Sequence, residues 1–188
     1  VGIGNALIKL RSGGFDVWGV EPSQPFRAKA LEHTGITGER IQLAAVEDAD
    51  FAPESFDLIT FGAVLEHIYN PSEAIVRALR WLKPEGVIHV EVPSSDHLIA
   101  KLINAYFTLA GTNFVTNISP MHVPYHIHEF TLDSFRRNGL RSGYEVLEHH
   151  FDVASIYHLP KVMHPLLRAI MARTNTGMQL TVWLRKAR

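Results

Sequence analysis

The chain has 188 residues, 46% of them hydrophobic, and its 18 Lys and Arg residues nearly balance its 19 Asp and Glu residues. This length and apolar content predict one domain with a sizeable core, and they exclude general disorder. The net charge of −1 argues against a protein that coats nucleic acid or binds membranes through a polybasic surface. The absence of Cys excludes disulfides, thiolate metal sites and cysteine nucleophiles.

Apolar runs of strand length alternate with helical patterns in the first half of the chain. The runs cover residues 16–20, 41–44, 56–61 and 87–92. Near-continuous runs of Val, Ile and Leu are typical of strands that are covered on both faces in a parallel sheet. Alternation of such strands with helices predicts βαβ units, and therefore a doubly wound α/β fold.

Capping and turn signals place the remaining elements. Asn70 and Pro71 predict the start of a helix, and the sequence 83–86 predicts the turn that follows it. Later in the chain we predict helices at 96–110, 131–142 and 159–172, and strands at 144–151 and 178–186. No apolar run reaches the ~18 residues of a membrane span, and no signal peptide is visible, so we expect a cytoplasmic protein without integral membrane contact.

The chain begins with paired glycines, Gly2 and Gly4, and an acidic residue, Glu21, follows the first apolar run. Paired glycines let the backbone approach a ligand, and an acidic residue at this spacing can accept hydrogen bonds from ribose hydroxyls. Together they predict a site for an adenosine nucleoside. Leu7 stands where a dinucleotide fingerprint has its third Gly, which favours a ligand without phosphates but leaves NAD open.

Asp48 is a further candidate for this site. Asp48 lies in an acidic stretch after the run 41–44 and is a candidate for hydrogen bonding an adenine amino group. A solvent-exposed acidic loop explains Asp48 equally well. The sequence Phe61-Gly62-Ala63-Val64-Leu65-Glu66-His67 follows the run 56–61.

An ordered set of short motifs between residues 55 and 93 resembles the class I S-adenosylmethionine-dependent methyltransferases that act on small molecules. The motifs are Ser55-Phe56-Asp57-Leu58-Ile59, Leu65-Glu66-His67, Asn70-Pro71, Leu82-Lys83-Pro84-Glu85-Gly86 and Val92-Pro93. The resemblance extends to Val17-Trp18-Gly19-Val20-Glu21 and to His126-Ile127-His128-Glu129-Phe130-Thr131. It therefore covers nearly the whole chain.

The resemblance implies a Rossmann-like sheet with strand order 3-2-1-4-5-7-6 and an antiparallel C-terminal strand. It also implies that S-adenosylmethionine is the cofactor. Gly2 and Gly4 would line its methionine part, Glu21 would bind its ribose, and Asp48 would face its adenine. The family's first strand should precede Gly2, so we expect an N-terminally truncated methyltransferase domain whose parent chain extends upstream.

In the same family, Phe61 and Gly62 would lie beneath the sulfonium, and His67 would lie at the edge of the acceptor pocket. We expect the loop 111–129 to cover the acceptor, and an ordinary surface loop is the alternative. If the acceptor is a hydroxyl, a base should help, and His67 and His126 are the candidates.

A metal site is not expected from the sequence. His122, His126 and His128 form a His-x3-His-x-His pattern in a loop, which is weak evidence for zinc. We therefore hypothesise transfer of a methyl group to oxygen or nitrogen of a small molecule, without nucleic acid as a partner; a homodimer is compatible with the sequence. An NAD-dependent oxidoreductase and a non-catalytic methyltransferase-like domain are the alternatives.

Overall fold

The computed structural model describes residues 1–113, 125–153 and 160–187. These residues form two compact units, residues 1–52 and residues 53–188. In the second unit, only the described residues are considered below. No helix in the described ranges is long and apolar enough to span a membrane.

The first unit contains a short parallel pair of strands and two helices. Helix α1 (Asn5–Ser12) precedes strand β1 (Gly19–Val20), and helix α2 (Gln24–Thr34) precedes strand β2 (Ile41–Gln42). Gly19 pairs with Ile41 in parallel register. The core of this unit is formed by buried apolar side chains from these elements and their connections: Leu7, Val17, Ala30, Ile36 and Ile41.

The second unit is built on a four-stranded sheet of order β3-β4-β6-β5. Its strands are β3 (Phe56–Gly62), β4 (Leu82–Pro93), β5 (Tyr144–Asp152) and β6 (Gln179–Lys186). β3 and β4 are parallel, and β6 runs antiparallel to both of its neighbours. Buried side chains from β4 and β6 fill the middle of the sheet: Ile88, Val90, Val92, Leu180, Val182 and Leu184.

Four helices accompany this sheet: α3 (Pro71–Trp81), α4 (Leu98–Leu109), α5 (Leu132–Ser142) and α6 (His164–Thr174). α3 begins where predicted, because the Asn70 side chain accepts a hydrogen bond from the Glu73 amide at 3.2 Å. α3 packs against β4, and α5 packs against β5. A separate apolar cluster joins α4 to α6 through Ile99, Leu167 and Met171.

The predicted α/β class is confirmed, with a parallel strand pair in each unit and an antiparallel C-terminal strand. The observed strands β3, β4, β6 and β5 correspond to strands 4, 5, 7 and 6 of the predicted order. The complete order 3-2-1-4-5-7-6, the single truncated domain and the covering role of the loop 111–129 stay predictions. Residues 114–124 of that loop and residue 159, the predicted start of the last helix, lie outside the described residues.

Several predicted boundaries are wrong. The predicted strand 41–44 shortens to Ile41–Gln42, and the predicted helix 159–172 is observed as His164–Thr174. The first predicted strand, 16–20, shortens to Gly19–Val20. The predicted turn at 83–86 lies within β4, where the pairing with β3 passes from Phe56–Leu82 directly to Leu58–Val87. The turn residues therefore form a bulge inside the strand rather than a break before it.

Candidate active site

The glycine turn at the start of the chain requires glycine at one position in particular. Gly4 has φ +90° and precedes α1, and a Cβ added to it would lie 2.5 Å from the Cγ2 atom of Thr34. Gly2 also has positive φ, at +59°, but an added Cβ there would meet no atom within 4 Å. Backbone conformation favours glycine at both positions, whereas packing demands it only at Gly4.

Leu7, which replaces the third Gly of a dinucleotide fingerprint, belongs to the core of the first unit. It is 4% exposed and packs in the same cluster as Ala30 and Ile41. A large side chain at this position therefore stabilises the packing of α1. In dinucleotide sites, a Gly at this position allows the helix to pack closely on the strand. Here the Leu7 side chain fills the core instead.

Glu21 directly follows β1, and the structure places it against the glycine turn. Its Oε2 atom accepts a hydrogen bond from the Gly2 amide at 2.7 Å, and its Oε1 atom accepts one from the Ser23 amide at 2.9 Å. The side chain is buried and its orientation is fixed by these bonds. Oε2 also accepts a hydrogen bond from the Val1 nitrogen at 3.3 Å. Each carboxylate oxygen has two lone pairs, so the capacity for a further hydrogen bond, as from a ribose, remains on Oε1.

Asp48 lies in a turn after β2 and is exposed. Its amide donates to the carbonyl oxygen of Ala45 at 3.1 Å, which fixes the backbone of the turn but not the carboxylate. The position agrees with a residue at the carboxyl end of a parallel strand, where ligands bind in such folds. The adenine role of Asp48 stays a prediction.

In the second unit, β3 ends at Phe61 and Gly62, which the family resemblance predicts to lie beneath the sulfonium of the cofactor. The Phe61 side chain is buried, whereas Gly62 is exposed and has no atom within 4 Å of an added Cβ. The next residue, Ala63, has φ +51°, and its amide donates to the Glu91 carbonyl oxygen at 2.9 Å. A non-glycine residue in this left-handed region is strained, and such strain is concentrated at functional sites.

The segment after β3 forms a short 3-10 turn, Leu65–His67, which is tied to a distant part of the chain. The Nδ1 atom of His67 lies 2.9 Å from the Tyr125 carbonyl oxygen, and the Ile127 amide donates to the Glu66 carbonyl oxygen at 3.0 Å. These contacts flank His126 on both sides. They bring the two predicted histidines together although 58 residues separate them in the chain.

Glu66, His67 and His126 form one cluster. The rings of the two histidines are 4.9 Å apart between centroids, and His67 Nε2 lies 3.9 Å from Glu66 Oε1. One ligand-type atom from each of the three side chains lies within 4.8 Å of the other two. The pair predicted as catalytic, His67 and His126, is therefore juxtaposed, and a buried carboxylate is added to it.

The electrostatics of this cluster centre on Glu66, which is 2% exposed. Burial raises the pKa of the Glu66 carboxyl, an effect opposed by its own backbone amide and by the nearby charges of His67 and His126. Its Oε2 atom has no hydrogen-bond partner within the described part of the chain. A buried carboxylate oxygen of this kind is costly unless a proton or a cation accompanies it.

The tautomer of His67 follows from its surroundings. A carbonyl oxygen can only accept, so the hydrogen bond to Tyr125 assigns the proton to Nδ1. In the neutral ring, the Nε2 lone pair then faces the cluster. His67 can accordingly take up a proton or bind a cation on that side.

Other residues considered from the sequence lie elsewhere. The Nε2 atom of His128 is 3.2 Å from the Tyr69 carbonyl oxygen, and His122 lies outside the described residues. The sequence indicates no role for Glu66 beyond its place in the motif Leu65-Glu66-His67. The signal for its role is the position of an acidic residue between Val64, Leu65 and Ile68, since a charge within an apolar run is rarely buried without a partner.

Comparisons with known proteins bear on this arrangement. A model of a family described as a methyltransferase domain matches residues 1–149. The ubiquinone biosynthesis O-methyltransferase of Photobacterium profundum is 34% identical over 92 residues, which are 46% of this chain and 39% of that protein. The protein of the same name from Pseudomonas savastanoi is 28% identical over 126 residues, 64% of this chain and 52% of the relative. The chain thus spans about half the length of these relatives, or less.

Solved structures share the fold. The crystal structure of a SAM-dependent methyltransferase from Methanosarcina mazei superposes with a TM-score of 0.68, covering 99% of this chain and 89% of that one at 16% identity. The crystal structure of a SAM-dependent methyltransferase from Thermotoga maritima, titled a possible histamine N-methyltransferase, gives a TM-score of 0.66 at 17% identity, covering 99% and 79%. At these identities, the likeness concerns the fold alone.

Proposed function

We propose that this chain, which belongs to the family of methyltransferase domains, transfers the methyl group of S-adenosylmethionine to a hydroxyl oxygen of a small molecule. Family membership over residues 1–149 supports methyl transfer and the cofactor. The names of the ubiquinone biosynthesis relatives support oxygen as the acceptor atom and a small molecule as the substrate.

The residues of the first unit fit the cofactor. The Glu21 carboxylate is oriented by the amides of Gly2 and Ser23, and its Oε1 atom has a lone pair left for a ribose hydroxyl. At Gly4 a Cβ would overlap the Thr34 side chain, and a buried leucine, Leu7, stands where a dinucleotide site has its third glycine. Gly2, Gly4 and Glu21 would therefore hold S-adenosylmethionine, and Asp48 is proposed to face its adenine. Phe61 and Gly62, in the second unit, stay predicted cofactor residues.

The observation that carries oxygen as the acceptor is the cluster of Glu66, His67 and His126. When bound, the sulfonium supplies an electrophilic methyl group, which the acceptor oxygen takes as the carbon–sulfur bond breaks. A hydroxyl must also lose its proton, whereas a neutral amine attacks with its own lone pair. His67, with its Nε2 lone pair directed into the cluster, and His126 beside it are placed to receive that proton, an effect worth roughly 10²–10⁴ in rate.

Isotope transfer tests this proposal. The purified chain is incubated with S-adenosylmethionine that carries a deuterated methyl group and with a low-molecular-weight extract, and labelled products are identified by mass spectrometry. We expect label on the oxygen of a small molecule, together with S-adenosylhomocysteine. Label on nitrogen or carbon, or only on protein or nucleic acid, would contradict the proposal. A chain carrying His67→Ala and His126→Ala is the control, because its cofactor residues are intact.

A further inference from the structure

We infer that Glu66, His67 and His126 bind a divalent transition-metal ion, an inference that rests on the proposed function because the ion would act on the acceptor. One possible ligand atom from each side chain lies within 4.8 Å of the others, in a search limited to the described residues. Two imidazoles and one carboxylate form a common ligand set for zinc and for non-haem iron. Such a site keeps a coordination position open for another ligand.

The His67 ring is oriented so that one nitrogen can bind a cation. Its Nδ1–H donates to the Tyr125 carbonyl oxygen at 2.9 Å, so its Nε2 lone pair faces the Glu66 carboxylate, with 3.9 Å between Nε2 and Oε1. This separation is too long for a hydrogen bond, and both atoms carry lone pairs. Zinc lies ~2.0–2.2 Å from nitrogen and carboxylate ligands, so two ligands of one tetrahedral ion are roughly 3.3–3.6 Å apart. The Nε2–Oε1 distance of 3.9 Å is only a few tenths of an ångström longer, so a small movement of the two side chains would let one cation bind both atoms.

The burial of Glu66 gives independent support for a bound cation. Glu66 is only 2% exposed, and its Oε2 atom has no hydrogen-bond partner among the described residues. The nearby Glu91 carboxylate adds a like charge. A buried carboxylate oxygen without a partner is costly, and either a proton or a cation would offset that cost. A divalent ion held by Glu66, His67 and His126 would be such a cation.

The ligands are held in place from outside the cluster. Metal-binding histidines usually donate their second ring N–H to a carbonyl oxygen or a carboxylate, as His67 does to Tyr125. The Ile127 amide bonds to the Glu66 carbonyl oxygen, which fixes the backbone on either side of His126. The 4.8 Å span exceeds the ligand spacing on one tetrahedral zinc ion by somewhat more than 1 Å. Side-chain rotations within the cluster would close that gap, while these hydrogen bonds hold the backbone.

The ion would change how the acceptor loses its proton. A hydroxyl oxygen in the open coordination position would have a lowered pKa, as zinc-bound water does. With the ion bound, the hydroxyl proton would pass to solvent instead of to a histidine, because one ring nitrogen of His67 and one of His126 would bind the metal. The oxygen would then form the bond to the methyl carbon, and the electrons of the carbon–sulfur bond would remain on sulfur. Charge and atoms balance without an oxidant or reductant.

The test is metal binding by the full chain after removal of metal with a chelator. Zinc chloride is titrated by calorimetry, and cobalt(II) chloride is added separately to record visible absorption, which reports the coordination of the ion. We expect one strong site per chain. Glu66→Gln and His126→Ala should each weaken zinc binding by about 100-fold or more and change the cobalt spectrum. His128→Ala is the matched control, since His128 lies on the same segment but outside the cluster, and it should leave both unchanged.

Wild-type chain without a strong zinc site would overturn the inference, as would equal binding by Glu66→Gln in a variant whose circular dichroism is that of wild type. Titration of the metal-free chain with S-adenosylhomocysteine separates this result from the proposed function. Binding of S-adenosylhomocysteine without zinc binding would leave methyl transfer standing and remove the metal. Zinc binding without S-adenosylhomocysteine binding would instead contradict the proposed function.

Discussion

Glu21 and Glu66 are both buried carboxylates near the ends of parallel strands, yet the molecule partners them differently. Glu21, in the first unit, accepts hydrogen bonds from the amides of Gly2 and Ser23 through its two oxygens. Glu66, in the second unit, has one oxygen without a partner among the described residues, and burial raises the pKa of its carboxyl. Backbone amides bind both oxygens of the first carboxylate, whereas one oxygen of the second has no partner in the described ranges.

This difference indicates different tasks. A carboxylate whose orientation is fixed by backbone amides can present its remaining lone pair to a ligand in a fixed geometry, which suits recognition of a ribose. A carboxylate buried beside two histidines is suited to a charge that comes and goes, either a proton or a metal ion. Substitutions that remove each carboxylate should therefore differ in their effect on stability.

The largest expected effect is that of Glu21→Leu. This change removes the acceptors of the Gly2 and Ser23 amides and should lower the free energy of unfolding by about 4 kcal/mol, on the scale of roughly 1–3 kcal/mol per unsatisfied group. Urea denaturation followed by circular dichroism measures it. A loss below about 1 kcal/mol would show that these hydrogen bonds do not hold the turn.

Gly4→Ala should have the next largest effect, because it combines a left-handed backbone with a Cβ that would overlap the Thr34 side chain. The left-handed conformation costs about 1–2 kcal/mol and overpacking about 1–3, so we expect a loss of about 3 kcal/mol. Gly2→Ala is the matched control, since it has the same backbone requirement without the overlap. Its loss should be about 1 kcal/mol in thermal unfolding, and equal losses in the two variants would contradict the packing argument.

Glu66→Leu should have the smallest effect. In metal-free chain it removes a buried carboxylate that lacks a full set of partners, and replacement of such groups by apolar side chains is often neutral or stabilising. We expect the free energy of unfolding to stay within about 1 kcal/mol of wild type or to rise. A loss above about 2 kcal/mol would mean that Glu66 is a structural residue like Glu21.

The α/β fold was largely predictable because its signals are local. Asn70 and Pro71 mark the start of α3, and apolar runs mark β3 and β4. The bulge at 83–86 was missed because turn residues within a strand look the same as a turn between elements.

The acceptor side was predictable only in part. His67 and His126 could be named from the family resemblance and from the chemistry of imidazole. Their contact depends on hydrogen bonds between Leu65–His67 and a segment more than fifty residues away. The unpartnered oxygen of Glu66 is a property of the packed structure, and no local pattern encodes it. For this reason the sequence predicted no metal site, and the cluster became visible only in three dimensions.

The most direct test of the account is calorimetric titration with S-adenosylhomocysteine of wild type, Glu21→Gln and Glu66→Gln, with NADH as the control ligand. The account predicts that wild type binds S-adenosylhomocysteine and not NADH. Glu21→Gln should bind S-adenosylhomocysteine more weakly by roughly 5–150-fold, equivalent to about 1–3 kcal/mol, and Glu66→Gln should bind it as wild type does. Wild type that fails to bind S-adenosylhomocysteine, or equal weakening in both variants, would contradict the division between a cofactor carboxylate and an acceptor carboxylate.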